Sequence, residues 1–448
     1  MIPYLLPAVT SSLDSGDTAW LLAASALVLL MAPGLALFYG GMVRSKSVLN
    51  MIMMTFGTLA VVAILWTLIG YSIAFGDDLG AGLLGDPFQY AGLSDLLDPA
   101  SNGESTVPLI LFAIFQGLFC VITGALVSGA IADRARFGAW MVFVGIWTLV
   151  VYAPIAHWIF DFSLGDHVGG WMANDLKVID FAGGTAVEIC SGASALALAL
   201  VLGPRIGFGK DPMRPHNLTL VMLGAGLLWF GWFGFNAGSA LGANQTAAVV
   251  FTTTLLAAAA GSLGWLALER VRDSHATTLG AASGLVSGLV AITPSCGSLS
   301  PIGAIVMGAV AGVVCALAVG MKYRFGYDDS LDVVGVHLIG GLVGTIGIGV
   351  IATGAAPTAV DGLFYGGGAD QLWRQLLGSG AVLVYAFVMS GIIGLVVDRA
   401  MGFRIDEEHE ISGIDLVVHA ETAYDLHATA GTRSTGGLLG THREENPE

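Results

Sequence analysis

Eleven apolar runs, each about 18–25 residues and so long enough to cross a bilayer core, divide this chain of 448 residues. They start near Ala19, Val48, Val107, Phe137, Phe181, Leu218, Ala243, Ala276, Pro301, Val333 and Gln371. A water-soluble domain needs about 25% charged residues to cover its surface. Here charged residues are 11% and hydrophobic ones 55%, with a mean hydropathy of +0.79. Lipid is then the solvent for the outer surface, and the expected fold is an all-α polytopic membrane protein of eleven transmembrane helices. The 64 glycines are roughly twice the usual ~7% share. Most fall inside the apolar runs, where small residues let helix backbones approach one another.

The formal charge of −16 matters less than where the basic residues lie. With the N-terminus outside, the inner segments hold Arg44, Lys46, Arg134, Arg136, Arg205, Lys210, Arg214, Arg270, Arg272, Lys322, Arg324, Arg399, Arg404, Arg433 and Arg443. The outer segments hold Lys177 and Arg374, so the 17 basic residues divide as 15 inside and 2 outside. That bias predicts an N-out, C-in topology, which requires an odd number of spans.

The spans group as five, five and one. Residues 1–18 form an extracytoplasmic N-terminus and 19–401 the membrane domain, with halves at 19–203 and 217–355 and a last span near 375–401. Two five-span halves enter the membrane in opposite senses, the arrangement of an inverted repeat with its site at the midplane. A basic loop, residues 203–216 (GPRIGFGKDPMRPH), joins them. Residues 402–448 form an acidic cytoplasmic tail, and its Gly-, Thr- and Glu-rich end from Ala428 is expected to be disordered. Met1 to Asp17 lacks the basic n-region that marks a cleaved signal peptide. Cys120, Cys190, Cys296 and Cys315 show no paired spacing and read as small buried residues. The outer loop, residues 76–106, carries Asp77, Asp78, Asp86, Asp95, Asp98 and Glu104. Such a loop either concentrates cations at an entrance or is simply solvated.

An ionisable residue inside a span costs several kcal/mol and marks a functional position by default. Asp180 opens the fifth span in DFAGGTAVEIC, with Glu188 about 12 Å deeper by helical rise. His337 lies in the tenth span in DVVGVHLIGG, five residues beyond Asp332. Each taken alone is either a satisfied structural group or a functional one. Their similar depth, from spans of opposite direction, points to a proton-bearing pair on a pore axis. Aromatic residues form the second cluster. Phe115 and Phe119 in FQGLF share a helical face, as do Trp232, Phe235 and Ser239 in GWFGFNAGSA. Aromatic stripes are usually packing, but here a hydroxyl and glycines are interleaved with them. Ring faces attract cations, and a hydroxyl accepts from an N–H donor.

The motifs FYGGMVRSKSVLN, FQGLFCVIT, PIAHW, IDFAGGTAVEI, GPRIGFG, PHNL, GWFGFNAGSA, TPSCG and DVVGVHLIGG follow one another in order. Together they resemble the ammonium transporter, methylammonium permease and Rhesus superfamily, its bacterial ammonium transporter branch in particular, from about Ala19 to Tyr424. The resemblance implies eleven helices in a five-plus-five inverted repeat, a homotrimer in the cytoplasmic membrane, and one pore per subunit for ammonium, ammonia and the analogue methylammonium. It implies that Phe119 and Phe235 form a stacked gate, and that Ser239 and Phe115 bind ammonium at an outer recruitment site. Asp180 matches the buried aspartate of that site, Trp232 the pore-lining aromatic, and His337 the second of two pore histidines. Two positions depart from the pattern. Glu188 stands where the first pore histidine is expected, and Phe160 where a recruitment tryptophan is expected.

The mechanism so implied is recruitment of NH4+, proton loss at the gate, and passage of NH3 past Trp232, Glu188 and His337. The rival classes are an ammonium sensor and a channel for water, CO2 or potassium. A membrane enzyme is a third. No TVGYG-type filter is present, and no nucleophile–base pair, metal-ligand cluster or phosphate loop suggests an enzyme or a cofactor. The tail residues Glu407, Glu408, Glu410, Gly413, Asp415, His419, Glu421 and Tyr424 resemble the family's tail, with Ala420 in place of a glycine. By that resemblance the tail packs on the inner face and helps to dock a trimeric PII signalling protein.

Overall fold

The computed structural model describes residues 12–424. The expected disorder beyond Ala428, and most of the segment judged for a signal peptide, lie outside them. Ten helices among the described residues are long and apolar enough to cross a membrane. They are α1 (Ser15–Met42), α2 (Val48–Phe75), α3 (Leu109–Ile131), α4 (Phe137–Phe160), α5 (Gly184–Leu202), α6 (Leu218–Gly238), α7 (Gln245–Asp273), α9 (Pro301–Phe325), α10 (Val334–Ile351) and α11 (Asp370–Met401). Between α7 and α9 runs a shorter apolar helix, α8 (Thr278–Ile292). Two short helices, α12 (Glu407–Ser412) and α13 (Ile414–His419), follow in the tail. The only β pairing among the described residues is three isolated bridges.

Two of the expected spans begin or end in irregular backbone. The run expected from Phe181 becomes helical only at Gly184, and α8 stops at Ile292, two residues before Pro294. The chain from Thr293 to Leu299 stays buried without being a helix. The two irregular stretches meet, Phe181 N–H donating to Pro294 O at 3.1 Å. Backbone of this kind is tolerated at membrane depth where protein covers it.

Burial ranks the helices. The most apolar stretch of α5 is 83% buried, against 28% for α2 and 33% for α11, so α5 is central and the other two are peripheral. Their exposed Phe56, Ile64, Leu68, Val384 and Val396 are the apolar outer surface a bilayer would wet. Glycine sets the closest helix crossings. A Cβ on Gly224 of α6 would lie 2.3 Å from the Phe38 nitrogen of α1, and one on Gly312 of α9 would lie 2.1 Å from Gly261 O of α7. Neither contact admits a side chain.

One end of the bundle is tied by a buried ionic network. Arg205, in the loop joining α5 to α6, donates to both oxygens of Asp328 at 2.8 and 2.9 Å, and to Asp133 at 3.0 Å. The two-pronged contact suits a planar guanidinium. Arg44 also donates to Asp133, and Arg134 reaches Asp328 O and Ser330 Oγ. Burial pushes the Asp328 carboxyl up, but the hydrogen bonds and charge of Arg205 outweigh it and hold the group below its usual value. The tail packs on the same end. Asp415 accepts from the Leu49 and Asn50 amides at 3.0 and 2.8 Å, at the start of α2. Glu410 accepts from Ile206 N–H and from Arg404, and His216 meets the Tyr424 hydroxyl at 2.8 Å.

Candidate functional site: a gated pore

The site is built around two helix starts of matching layout. Asp180 precedes α5 and accepts four amides, from Gly183, Gly184, Thr185 and Ala186, at 2.7–3.1 Å. Asp329 precedes α10 and accepts two, from Val333 and Val334, at 3.0 and 2.7 Å. Each carboxylate satisfies orphan donors and sits at the positive end of a helix. Eight residues beyond each lies the ionisable group of its helix, Glu188 after Asp180 and His337 after Asp329. Both helices open in a π turn, Gly184–Ile189 and Val334–Leu338, a geometry that re-aims side chains and clusters at functional sites. Four residues further on, each carries a glycine against the other helix. A Cβ on Gly192 would lie 2.4 Å from the Leu338 nitrogen, and one on Gly341 would lie 2.9 Å from the Glu188 Cβ. That approach brings His337 Nδ1 to 2.6 Å from Glu188 Oε2, with both groups buried.

Two cavities meet at a pair of rings. The wider one, a vestibule of about 410 Å³, is lined by Phe112, Gln116, Phe119, Phe160, Asp180 and Ser239 among others. The narrower one holds about 10 Å³ and is lined by Phe235, Trp232, Glu188 and His337, with room for the centre of one water-sized molecule. Phe119 faces the first cavity and Phe235 the second. Their rings stack between the two, centroids 4.0 Å apart and planes at 23°. Trp232 lies 5.7 Å from Phe235 by ring centroids, and its indole N–H is taken by Thr293 Oγ1 at 2.8 Å. Ser239 donates its hydroxyl to Phe235 O at 2.8 Å, which leaves its oxygen lone pairs to accept from a vestibule ligand.

Phe115 does not line the vestibule. It is fully buried, edge-on to Phe119 at 4.9 Å, and it abuts Gly238. The helical face that reaches the cavity runs through Phe112, Gln116 and Phe119, spaced four and three apart, and Phe115 is turned into the bundle. The carboxylate that caps the tenth span is Asp329, while Asp332 is engaged by Lys322 at 2.7 Å. Gln116 was legible as a polar residue inside an apolar run. Thr358, also on the vestibule, had no comparable signal.

Stacked rings closing a narrow, mostly apolar passage, with one buried acid–base pair beyond them and membrane-length helices around, define a membrane transport protein for a very small polar solute. The chain matches the Ammonium Transporter Family over residues 19–424, and it belongs to that family. It is 56% identical over 441 residues to the ammonium transporter of Mycobacterium tuberculosis (strain ATCC 25618 / H37Rv), covering 94% of this chain and 92% of that one. It is 44% identical to the ammonium transporter of Bacillus subtilis (strain 168), covering 92% and 99%. Among solved structures it resembles Saccharomyces cerevisiae Mep2, with a TM-score of 0.81 at 34% identity over 90% of each chain. It also resembles a protein titled Sensor Amt Protein, with a TM-score of 0.83 at 26% identity, covering 90% and 98%. The chain transports ammonium.

Proposed function

We propose that the chain carries ammonium across the cytoplasmic membrane by stripping a proton at the Phe119–Phe235 partition and passing NH3 through the narrow cavity. Energetics favours that route. Moving a bare monovalent cation into a low-dielectric interior costs on the order of 20 kcal/mol by the Born estimate. Deprotonating an ammonium group that titrates near 10 costs only about 4 kcal/mol at pH 7. The vestibule recruits the cation through the rings of Phe119 and Phe160, the Ser239 hydroxyl, and the negative charge of Asp180 at its base. The Asp180 oxygens are occupied by four amides, so its contribution is a field rather than a direct contact. The released proton is held between Glu188 and His337 and handed inward, which makes transport electrogenic.

The observation that carries this reading is the 2.6 Å Glu188–His337 contact in the wall of a cavity sized for one small molecule. Two groups that close share their titration. The pair moves a proton by an internal jump. Replacing Glu188 by Gln keeps shape and one hydrogen bond but removes the titrating carboxyl. Ammonium-driven current in proteoliposomes is expected to fall at least tenfold in Glu188→Gln and in His337→Ala, the loss of one proton-transfer group. Wild-type current in Glu188→Gln between pH 5 and 8 would show that the carboxyl is structural.

The matched pairs Asp180–Glu188 and Asp329–His337 support an inverted repeat with halves at 19–203 and 217–355. Counting α8 with its buried continuation gives eleven spans, and the basic bias gives N-out and C-in. The subunit works as a homotrimer. The tail and the loop at 203–216 form an inner surface suited to a PII-type signalling protein.

A further inference from the structure

The rim of the vestibule carries a cluster of titratable groups that the transport reading leaves unused. Phe160 is followed directly by Asp161 and Phe162, and both rings line the vestibule. The loop that begins there turns back on itself through the Leu164–His167 bridge. His167 Nε2 lies 2.9 Å from Asp161 Oδ1, and His167 Nδ1 lies 2.5 Å from Asp77 Oδ1 on the acidic loop after α2. Behind them His157 is fully buried, with Nδ1 3.2 Å from Asp161 Oδ2 and Nε2 3.4 Å from Asp78 Oδ1. Tyr90 completes the surroundings, within the field of Asp77 and Asp161, and Asp166 is the neighbour on the loop itself.

Both nitrogens of His167 face a carboxylate oxygen. An imidazolium donates from both, whereas a neutral imidazole has one N–H and must turn a lone pair towards the other carboxylate. The two arms differ in strength, because Asp161 is 6% exposed and Asp77 57%. On the rest of the loop, Asp161 O accepts from Gly170 N–H and Asn174, so the base of the loop is held by backbone whatever the charge of His167.

We propose that His167 is a positioning residue for the vestibule: charged, it clasps the loop after Phe160 to the acidic loop at Asp77, and so holds Phe160 and Phe162 where they receive the cation. The proposal rests on the reading of this vestibule as the ammonium entrance. Burial lowers the His167 pKa, but its hydrogen bonds and charge contacts with Asp161 and Asp77 raise it above its ordinary value. The sign follows. The clasp is complete below about 6.5, the ordinary histidine value, and is lost as pH on the vestibule side rises through the raised one.

The test compares wild type, His167→Arg and His167→Gln in proteoliposomes, reading methylammonium uptake against concentration between pH 6 and 9. The arginine variant stays charged and controls for substrate ionisation at each pH. Expected is a KM in His167→Gln raised roughly threefold at every pH with the maximal rate kept, the effect of one partly exposed charged contact. Wild type should track His167→Arg at pH 6 and approach His167→Gln at pH 9. Hydrogen exchange of residues 161–170, corrected for intrinsic base catalysis, should rise over the same range in wild type and stay low in His167→Arg. A wild-type KM parallel to that of His167→Arg across the range overturns the proposal, as does loop opening with no change in KM. Absence of saturable uptake in wild type defeats the transport reading instead, and the exchange data then still decide whether the clasp exists.

Discussion

At the scale of single residues, the site divides its buried ionisable groups into those held by backbone and those that face each other. Asp180 and Asp329 are pinned by backbone amides, whereas Glu188 and His337 have each other. Glu188 and His337 were legible because an ionisable group in an apolar run announces itself. Asp329 was not, because it sits in the acidic stretch Asp328, Asp329, Ser330, Leu331, Asp332, and only packing shows which carboxylate faces the helix. Phe160 was legible as a departure from the family's pattern, and it stands on the vestibule wall. An indole face attracts a cation more strongly than a phenyl face, the difference being a fraction of a whole contact worth about 0.5–1 kcal/mol at an exposed site. Phe160→Trp is therefore expected to lower the half-saturating methylammonium concentration by up to roughly twofold with the maximal rate little changed. An unchanged or raised value in concentration-dependent uptake would remove Phe160 from the recruitment surface.

Elements were legible in order but not at their ends: among the described residues ten of the eleven expected runs form membrane-length helices, and Thr278–Ile292 is shorter. Apolar length and glycine content mark the helices, while the irregular entry to α5 and the exit from α8 depend on contacts from distant segments. Phe181 N–H finds its acceptor on Pro294, more than a hundred residues away, and no local pattern records that. The π turns that aim Glu188 and His337 are likewise invisible to a 3.6-residue period. What holds the two helices at working distance is the reciprocal glycine contact. A methyl at Gly341 would stand 2.9 Å from the Glu188 Cβ and 3.0 Å from Gly184 O, closer than carbon atoms tolerate. Gly341→Ala is expected to cost roughly 1–3 kcal/mol through overpacking and to lower ammonium current by displacing α10 against α5. Thermal unfolding of the purified protein and current in proteoliposomes measure the two effects. A variant with unchanged current and melting temperature would show that the two helices have slack.

At the scale of the molecule, composition pointed to a lipid-embedded helical bundle, and the positions of 17 basic residues to the proposed sidedness. The ionic network at one end was only half legible. The excess of basic residues on one side is visible, but the Arg205 contacts to Asp133 and Asp328, which tie both halves and their connecting loop, depend on three segments meeting. A fluorescent reporter fused after Glu448 is expected to mature and a periplasmic phosphatase fused there to stay inactive. The reverse pattern would overturn the N-out, C-in reading.

The docking of Asp415 has a consequence for how the protein is made. Its carboxylate accepts the amides of Leu49 and Asn50, across a separation of 365 residues for Asn50. A helix start normally finds its cap in the residue just before it, so that it is complete as soon as it forms. Here Ser47, at that position, makes no such bond. During synthesis these two amides therefore lack that acceptor until Asp415 has left the ribosome. Chains that stop before Asp415 then carry an unfinished helix start at one face, a built-in distinction between chains with and without this segment.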